Sequence, residues 1–516
     1  MGIPSYFSYI VRNHIDILCK FKTEMPVDHL YMDCNSIIYD VVRQWGEETI
    51  KRDTKTIIQR VIAKIDEYIA TLSPKKRVIV AFDGVAPVAK LEQQRQRRYK
   101  SWYQSQMVRM LYPNKTEPDW NTTVITPGTV FMKELNEGIR HHYRNDDLVQ
   151  VSTSFDYGEG EHKLFQFIRQ HPEEHSESTT VIYGLDADLI MLSINHLPLC
   201  PRIYLFRETP EFIKSIDASL EPNAHYILDI PALAKETINT MIPNTNATTS
   251  TNKIHDYIFL CFFLGNDFLP HFPAVNIRTG GVDKMLNAYR ASIGTDEQLT
   301  DGHTIFWKNV RKVVQHLANQ EEEMLRKETK QRDRREKTYY PVDTAEKKLI
   351  KFDAIPTYER DLEKYINPFQ SGWQSRYYGA LFPPHIDIHD VVTNFCEGLE
   401  WTLKYYTTDC PDWKWKYKYD YPPLLEDLIR YMPYFDREMV VKKPDNPVSP
   451  LVQLCYVMPR ESLQFLPSSL ETVLKTNYSH WYPSHCEYVW AYCKYFWESH
   501  VELPEIDIDI LEKVIA

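Results

Sequence analysis

Three short apolar runs, each ending in an acidic residue, constrain this 516-residue chain more than any other feature. Leu30-Tyr31-Met32 leads to Asp33, Arg77 through Phe82 leads to Asp83, and Thr180 through Tyr183 leads to Gly184 and Asp186. Longer amphipathic stretches, such as Thr56 to Leu72 and Phe131 to Tyr143, lie between them. Strand-length runs alternating with helix-length stretches predict an α/β fold with a mainly parallel sheet flanked by helices. Ligands of open α/β sheets gather beyond the carboxyl ends of the strands, so three acids at three such ends predict one shared site.

Four further carboxylates stand in similar settings. Glu159 and Glu161 lie in Tyr-Gly-Glu-Gly-Glu-His, Asp188 follows Asp186 by two positions, and Asp267 follows Leu264-Gly-Asn at the end of an apolar run. A spacing of two points both carboxylates to one side of an extended chain or spreads them around a turn. Any one of the seven alone reads as a turn former or helix cap. Asp33, Asp83, Glu159, Glu161, Asp186, Asp188 and Asp267 together repel one another and need a counter-charge. Hard divalent cations supply it well. Mg²⁺ takes oxygen ligands, and two such ions about 3.5–4 Å apart serve phosphodiester hydrolysis. The expected cofactor is therefore two Mg²⁺ ions, with Mn²⁺ as the alternative.

Directly after Asp83 comes a basic stretch. Lys90, Gln94, Arg97 and Arg98 fall at helical spacing and share one face, a donor-rich surface suited to a phosphate. The bland alternative is a solvated basic helix. The chain as a whole carries a net charge of −11, which argues against a general nucleic-acid binder but not against an acidic site with a local basic patch.

The remaining sequence divides coarsely. Residues 1–284 carry the α/β pattern, and residues 285–350 read as a projecting charged helical segment or linker, with Gln320 to Lys337 dense in Glu, Lys and Arg. Residues 351–516 form a second, mostly helical region in which Trp401, Tyr405, Tyr406, Trp413, Trp415, Tyr417, Tyr419 and Tyr421 crowd together. A packed aromatic core is the plain reading of that cluster. Asn244 to Asn252 reads as a low-complexity loop. The nine cysteines are odd in number and lack Cys-x-x-Cys spacing, which argues against a zinc module or disulfide framework and for reduced buried thiols. Sequons at Asn114 and Asn246 mean little without a secretory signal. The start, Met-Gly-Ile-Pro-Ser-Tyr, has no signal design and misses a myristoylation pattern at Tyr6; the longest apolar run, Ile258 to Leu264, is too short to span a bilayer. The expectation is a soluble intracellular protein with no membrane association.

An ordered set of motifs resembles the Xrn 5′→3′ exoribonucleases. It runs from Met-Gly-Ile-Pro-Ser-Tyr-Phe through Met32-Asp33-Cys-Asn35, Phe82-Asp83-Gly to Arg98, Ile125-Thr-Pro-Gly to Met132, Gly158-Glu159-Gly-Glu161-His-Lys163, Tyr183-Gly-Leu-Asp186-Ala-Asp188 and Phe263-Leu-Gly-Asn266-Asp267, and ends with Glu397-Gly-Leu-Glu-Trp401 through Tyr421. The resemblance implies a 5′-nuclease (PIN-like) core, with an Xrn-type nuclease domain over 1–284 and a second Xrn-type helical region over 351–516 walling in the site. It implies that the seven carboxylates bind metal and act in catalysis, and that Lys90, Gln94, Arg97 and Arg98 form a 5′-phosphate pocket closed to caps and triphosphates. It also implies base stacking between Tyr39 and either Trp413 or Trp415. Tyr39 stands where the family often has His, so a titrating ring is lost there; Val130 stands where an acid is common. The chain stops soon after Pro504-Glu-Ile-Asp, like compact catalytic-core-only members, viral ones among them.

The expected activity is processive 5′→3′ degradation of decapped, 5′-monophosphorylated single-stranded RNA to mononucleotides by two-metal-ion hydrolysis. The expected state is a cytoplasmic monomer, with the nucleus as the alternative compartment. Its rivals are a structure-specific DNA flap endonuclease and a non-catalytic RNA-end-binding protein. The basic helix and Trp-rich region favour an end-reading pocket over the first, and the intact acidic set disfavours the second.

Overall fold

A computed structural model describes residues 5–44, 53–113, 120–243, 250–294, 296–444 and 446–516. Residues 1–4, the sequons at Asn114 and Asn246 and most of the Asn244 to Asn252 loop lie outside the described residues.

Seven strands form the main sheet: β1 (Leu18–Lys20), β2 (His29–Asp33), β3 (Arg77–Ala81), β4 (Val149–Ser152), β5 (Thr180–Tyr183), β6 (Ile203–Glu208) and β7 (His225–Asp229), in the order β1-β7-β6-β5-β2-β3-β4. The run β6-β5-β2-β3-β4 is parallel, whereas β7 and β1 close one side antiparallel. Every residue of β2 and β5 is buried, as expected of central parallel strands covered on both faces. The strand order reverses between β2 and β5, so the ends carrying Asp33 and Asp186 flank the crevice where such sheets place ligands.

Helix Thr54–Leu72 covers one face, turning Ile57, Val61, Ile65 and Tyr68 onto the sheet, and the side chain of Asp53 caps its start by accepting from the Thr56 amide at 2.9 Å. Helix Val130–Tyr143, capped by Thr129, lies beside it. The other face is continuous with the second region. One buried cluster runs from Tyr31, Ile79 and Ile182 through helices Asp188–Asn195 and Ser250–Phe262 to Trp401 and Tyr405 on helix Ile388–Thr407.

Helix Val88–Leu111 crosses between the regions. Val88 and Leu91 pack against helices Pro450–Val457 and Ile508–Ile515. Buried Arg95 donates to the carbonyls of Trp481 (2.9 Å) and Pro504 (2.8 Å). The second region therefore fixes the basic helix from behind.

Within the segment 285–350, the charged stretch Gln320 to Lys337 does not project. Helix Glu321–Glu336 lies packed, with Met324 and Leu325 in the core and Arg332 forked onto Glu363 at 2.6 and 2.7 Å, both side chains buried. Charge density predicts solvation only while the charges lack partners, and Glu363 lies too far along the sequence for the pairing to be read there.

Candidate active site

The seven carboxylates converge at the carboxyl ends of β2, β3 and β5. Asp33 closes β2. Asp83 follows β3 and is held by Asn35, whose Nδ2 donates to Asp83 Oδ2 at 2.6 Å while the Asp83 amide donates to Asn35 Oδ1 at 3.0 Å. Glu159 is the N-cap of helix Gly160–Gln170 and Glu161 lies in its first turn. Asp188 opens helix Asp188–Asn195, with Asp186 exposed in the loop before it. Carboxylates at helix starts face the positive end of the helix dipole.

Two glycines make the convergence fit. A Cβ on Gly84 would lie 1.8 Å from the Asp156 carbonyl oxygen, so only glycine lets β3 and the chain before Glu159 approach so closely. A Cβ on Gly160 would lie 2.7 Å from Asp33 Oδ1, and the Gly160 amide donates to Asp83 Oδ1 at 2.7 Å.

Lys90 enters the cluster from helix Val88–Leu111. Its ammonium ion-pairs with Glu159 and lies 2.6 Å from Asp267 Oδ2, and Gln93 donates to Asp267 Oδ1 at 3.0 Å. From the second region, Tyr405 donates to Glu159 Oε1 at 2.9 Å and Tyr406 to Asp188 Oδ1 at 2.8 Å.

The electrostatics follow from crowding in a buried place. Burial and then the neighbouring Asp83 and Asp186 carboxylates hold Asp33 well above the usual carboxylate range. Burial and then Asp188 do the same to Glu161, and burial followed by Asp267 pushes Asp188 up to about 7. Burial would raise Asp267 too, but Lys90 overrides it and holds that group low.

The basic face lies further along the same helix. Gln94, Arg97 and Arg98 are half-buried, and Arg98 donates to Thr126 Oγ1 at 2.5 Å while its buried Nε has no partner. Burial lowers Arg98 to about 10, against the Tyr39 hydroxyl that raises it and with Arg97 lowering it further.

The family profile described as the XRN 5′-3′ exonuclease N-terminus matches residues 1–209, and that of the Xrn1 helical domain matches residues 248–354 and 342–516. The chain belongs to the Xrn family of 5′→3′ exoribonucleases. It is 25% identical to the 5′-3′ exoribonuclease 2 homolog of Drosophila melanogaster, across 100% of this chain and 71% of that one. It is 26% identical to 5′-3′ exoribonuclease 2 of Gallus gallus, across 98% of this chain and 69% of that one. A solved catalytic core of Rad2 in complex with a DNA substrate aligns at a TM-score of 0.34 and 12% identity, over 79% of this chain and 99% of that one; so loose a likeness carries no inference about the site.

Membership in the Xrn family implies divalent cations at an acidic site, and the residues present fit them. Asp33 Oδ1 is buried without a hydrogen-bond partner. Among the described residues, Lys90 is the cation that ion-pairs into a cluster of seven acids. Glu159, Glu161 and His162 bring ligand atoms within 4.8 Å of one another. Oxygen donors in this number are the set that hard divalent ions take. His162 carries less of this role, because its ring is stacked on Tyr405 at 3.8 Å.

The stacking candidates separate in space. Tyr39 is 38% exposed on helix Asn35–Gln44. Trp415 stacks on Trp401 with ring centroids 5.2 Å apart, while the Trp413 carbonyl accepts from the Val88 amide at the start of the basic helix. Asn35, Gln93, Tyr405 and Tyr406 were not singled out as site residues in the sequence. Asn35 and Gln93 flank recognised residues, but the two tyrosines lay inside an aromatic-rich tract with nothing to mark them.

The raised carboxyls predict a pH-dependent metal effect. A carboxyl whose pKa is higher folded than unfolded favours the fold while protonated, and that contribution is lost as pH rises from about 4 through 7. A cation bound to the folded state offsets the loss. In chelator the protein is expected to melt lower at pH 8 than at pH 5.5. Millimolar Mg²⁺ is expected to raise the midpoint by about 2–5 °C at pH 8 and by much less at pH 5.5. An Mg²⁺ increment that is equal at both pH values would contradict this electrostatic account.

Proposed function

We propose that this exoribonuclease removes nucleotides one at a time from single-stranded RNA bearing a 5′-monophosphate, using two Mg²⁺ ions for which Mn²⁺ can substitute. The observation that carries the reading is the juxtaposition on one helix of Lys90, paired into the carboxylate cluster, with an arginine face one to two turns further along. An RNA end whose phosphate rests on that face brings its first internal phosphodiester to the acids.

Asp33, Asp83, Glu159, Glu161, Asp186, Asp188 and Asp267 would hold the cations. Bound there, the ions lower the pKa of water and neutralise charge on the scissile phosphate. Arg97 and Arg98 offer planar forks to the terminal phosphate, and Gln94 adds a neutral donor. Arg98 is already desolvated with a donor unspent, so an anion there replaces lost hydration. Lys90 links the two sites. Tyr39 and Trp413 stack the first bases in this reading, since Trp415 is committed to Trp401; stacking on a π face is indifferent to sequence. After each cut the new 5′-phosphate fits the same seat, which makes the reaction processive. Caps and triphosphates exceed what a seat built for one phosphate admits.

One chain supplies both walls of the site, so a monomer suffices. The nine cysteines form no disulfide, which fits a reducing compartment, cytoplasm or nucleus. No helix among the described residues is long and apolar enough to cross a membrane.

The test is a single-stranded RNA offered linear, with a 5′-monophosphate, and circularised. With Mg²⁺ the linear form is expected to vanish into mononucleotides while the circle persists. Cleavage of the circle would establish internal cutting and refute the end-dependent reading.

A further inference from the structure

The second region does more than wall the site in. Helix Ile388–Thr407 ends in two consecutive tyrosines, Tyr405 and Tyr406, both at least 97% buried. Each spends its hydroxyl on a carboxylate of the nuclease region, Tyr405 on Glu159 Oε1 and Tyr406 on Asp188 Oδ1. The rings are clamped. Tyr405 stacks on His162 (3.8 Å, 26°) and meets Trp401 at a tilt (4.9 Å, 31°), and Tyr406 meets Phe262 edge-on at 5.5 Å.

A buried tyrosine hydroxyl needs a partner, so one such contact would be ordinary packing. Here two adjacent residues reach the starts of two different helices and contact two members of one acidic cluster. In each carboxylate the phenol occupies a single oxygen. Glu159 gives its other oxygen to Lys90, and Tyr406 contacts Asp188 through Oδ1. A donor on one oxygen fixes the rotamer and favours the anion, which is what a cation ligand requires.

We infer that Tyr405 and Tyr406 are positioning residues, through which the second region sets the orientation of Glu159 and Asp188 for divalent-cation binding. The inference rests on the metal-dependent exoribonuclease reading above. It makes the helical region part of the cation site, without any atom of that region ligating the ion.

The experiment uses the full chain and the variants Tyr405→Phe and Tyr406→Phe, each losing one oxygen and keeping its ring. Tyr378→Phe serves as the control, because Tyr378 also donates to a carboxylate in the second region, Asp427 at 2.8 Å, away from the cluster. Mn²⁺ binding is measured without RNA from the electron paramagnetic resonance signal of the free ion, alongside the Mg²⁺ dependence of RNA degradation and thermal melting in chelator. Both site variants are expected to bind Mn²⁺ about tenfold more weakly and to need correspondingly more Mg²⁺, with KM for RNA unchanged. Tyr378→Phe is expected to change melting alone. Mn²⁺ affinity within twofold of wild type in both site variants would overturn the inference, whatever their melting points. A wild-type chain that neither binds Mn²⁺ nor degrades RNA would overturn the underlying reading instead, and this inference with it.

Discussion

Asp188→Ala is expected to slow RNA hydrolysis by about 10³-fold or more, close to 4 kcal/mol of transition-state stabilisation, while RNA affinity stays within about twofold. Asp188 is buried at the first position of its helix, oriented by Tyr406 and pushed up to about 7 by burial and then by Asp267. A group held so far from its ordinary state is held there for a counter-charge. Removing it takes away a ligand, while the arginine face and the stacking rings that hold RNA remain. The fold is expected to survive, since relief of repulsion in the cluster offsets part of the cost of leaving the buried Tyr406 hydroxyl without Asp188, and in chelator the variant should melt close to wild type. Rates from single-turnover degradation and affinities from filter binding in chelator decide the matter. A variant with near-wild-type turnover in Mg²⁺ would remove Asp188 from the catalytic set.

The second large effect falls on end selection. Arg97→Ala is expected to reduce the preference for 5′-monophosphate over 5′-hydroxyl RNA by about 30–100-fold, mostly through loss of rate on the phosphorylated end. Arg97 is half-buried and has no ion-pair partner among the described residues, so its guanidinium is free to fork onto a phosphate. Charge-assisted bonds of that kind contribute about 1.5–3 kcal/mol. Arg97→Lys should recover only part of the preference, because an ammonium keeps the charge and loses the fork. If the ratio of rates on the two ends is unchanged in Arg97→Ala, the phosphate seat lies elsewhere.

The parallel heart of the fold was legible because it is written locally. An apolar run ending in an acid marks β2, β3 and β5, and the stretch after Asp83 carries helical spacing. The antiparallel strands β1 and β7 were not legible: β1 is only three residues long, and neither carries a residue of the acidic cluster. The helix Glu321–Glu336 misled for a physical reason. Its charges are neutralised by partners such as Glu363, whose proximity the fold creates. The spatial gathering of the seven carboxylates was foreshadowed by strand ends and glycines. The placement of Lys90 inside that cluster was not, since helical spacing groups it equally well with Gln94 and Arg97. Tyr405 and Tyr406 lay beyond reach altogether, because their meaning depends on how one helix of the second region crosses the ends of two others.

The central claim is end-dependent hydrolysis, and the most direct test is a time course in Mg²⁺ on one single-stranded RNA prepared with a 5′-monophosphate, a 5′-triphosphate or a 5′-hydroxyl. Rapid loss of the monophosphate form alone, with mononucleotide products, is the predicted result. Equal rates on all three ends, or internal fragments, would contradict it and strip Gln94, Arg97 and Arg98 of their assigned role.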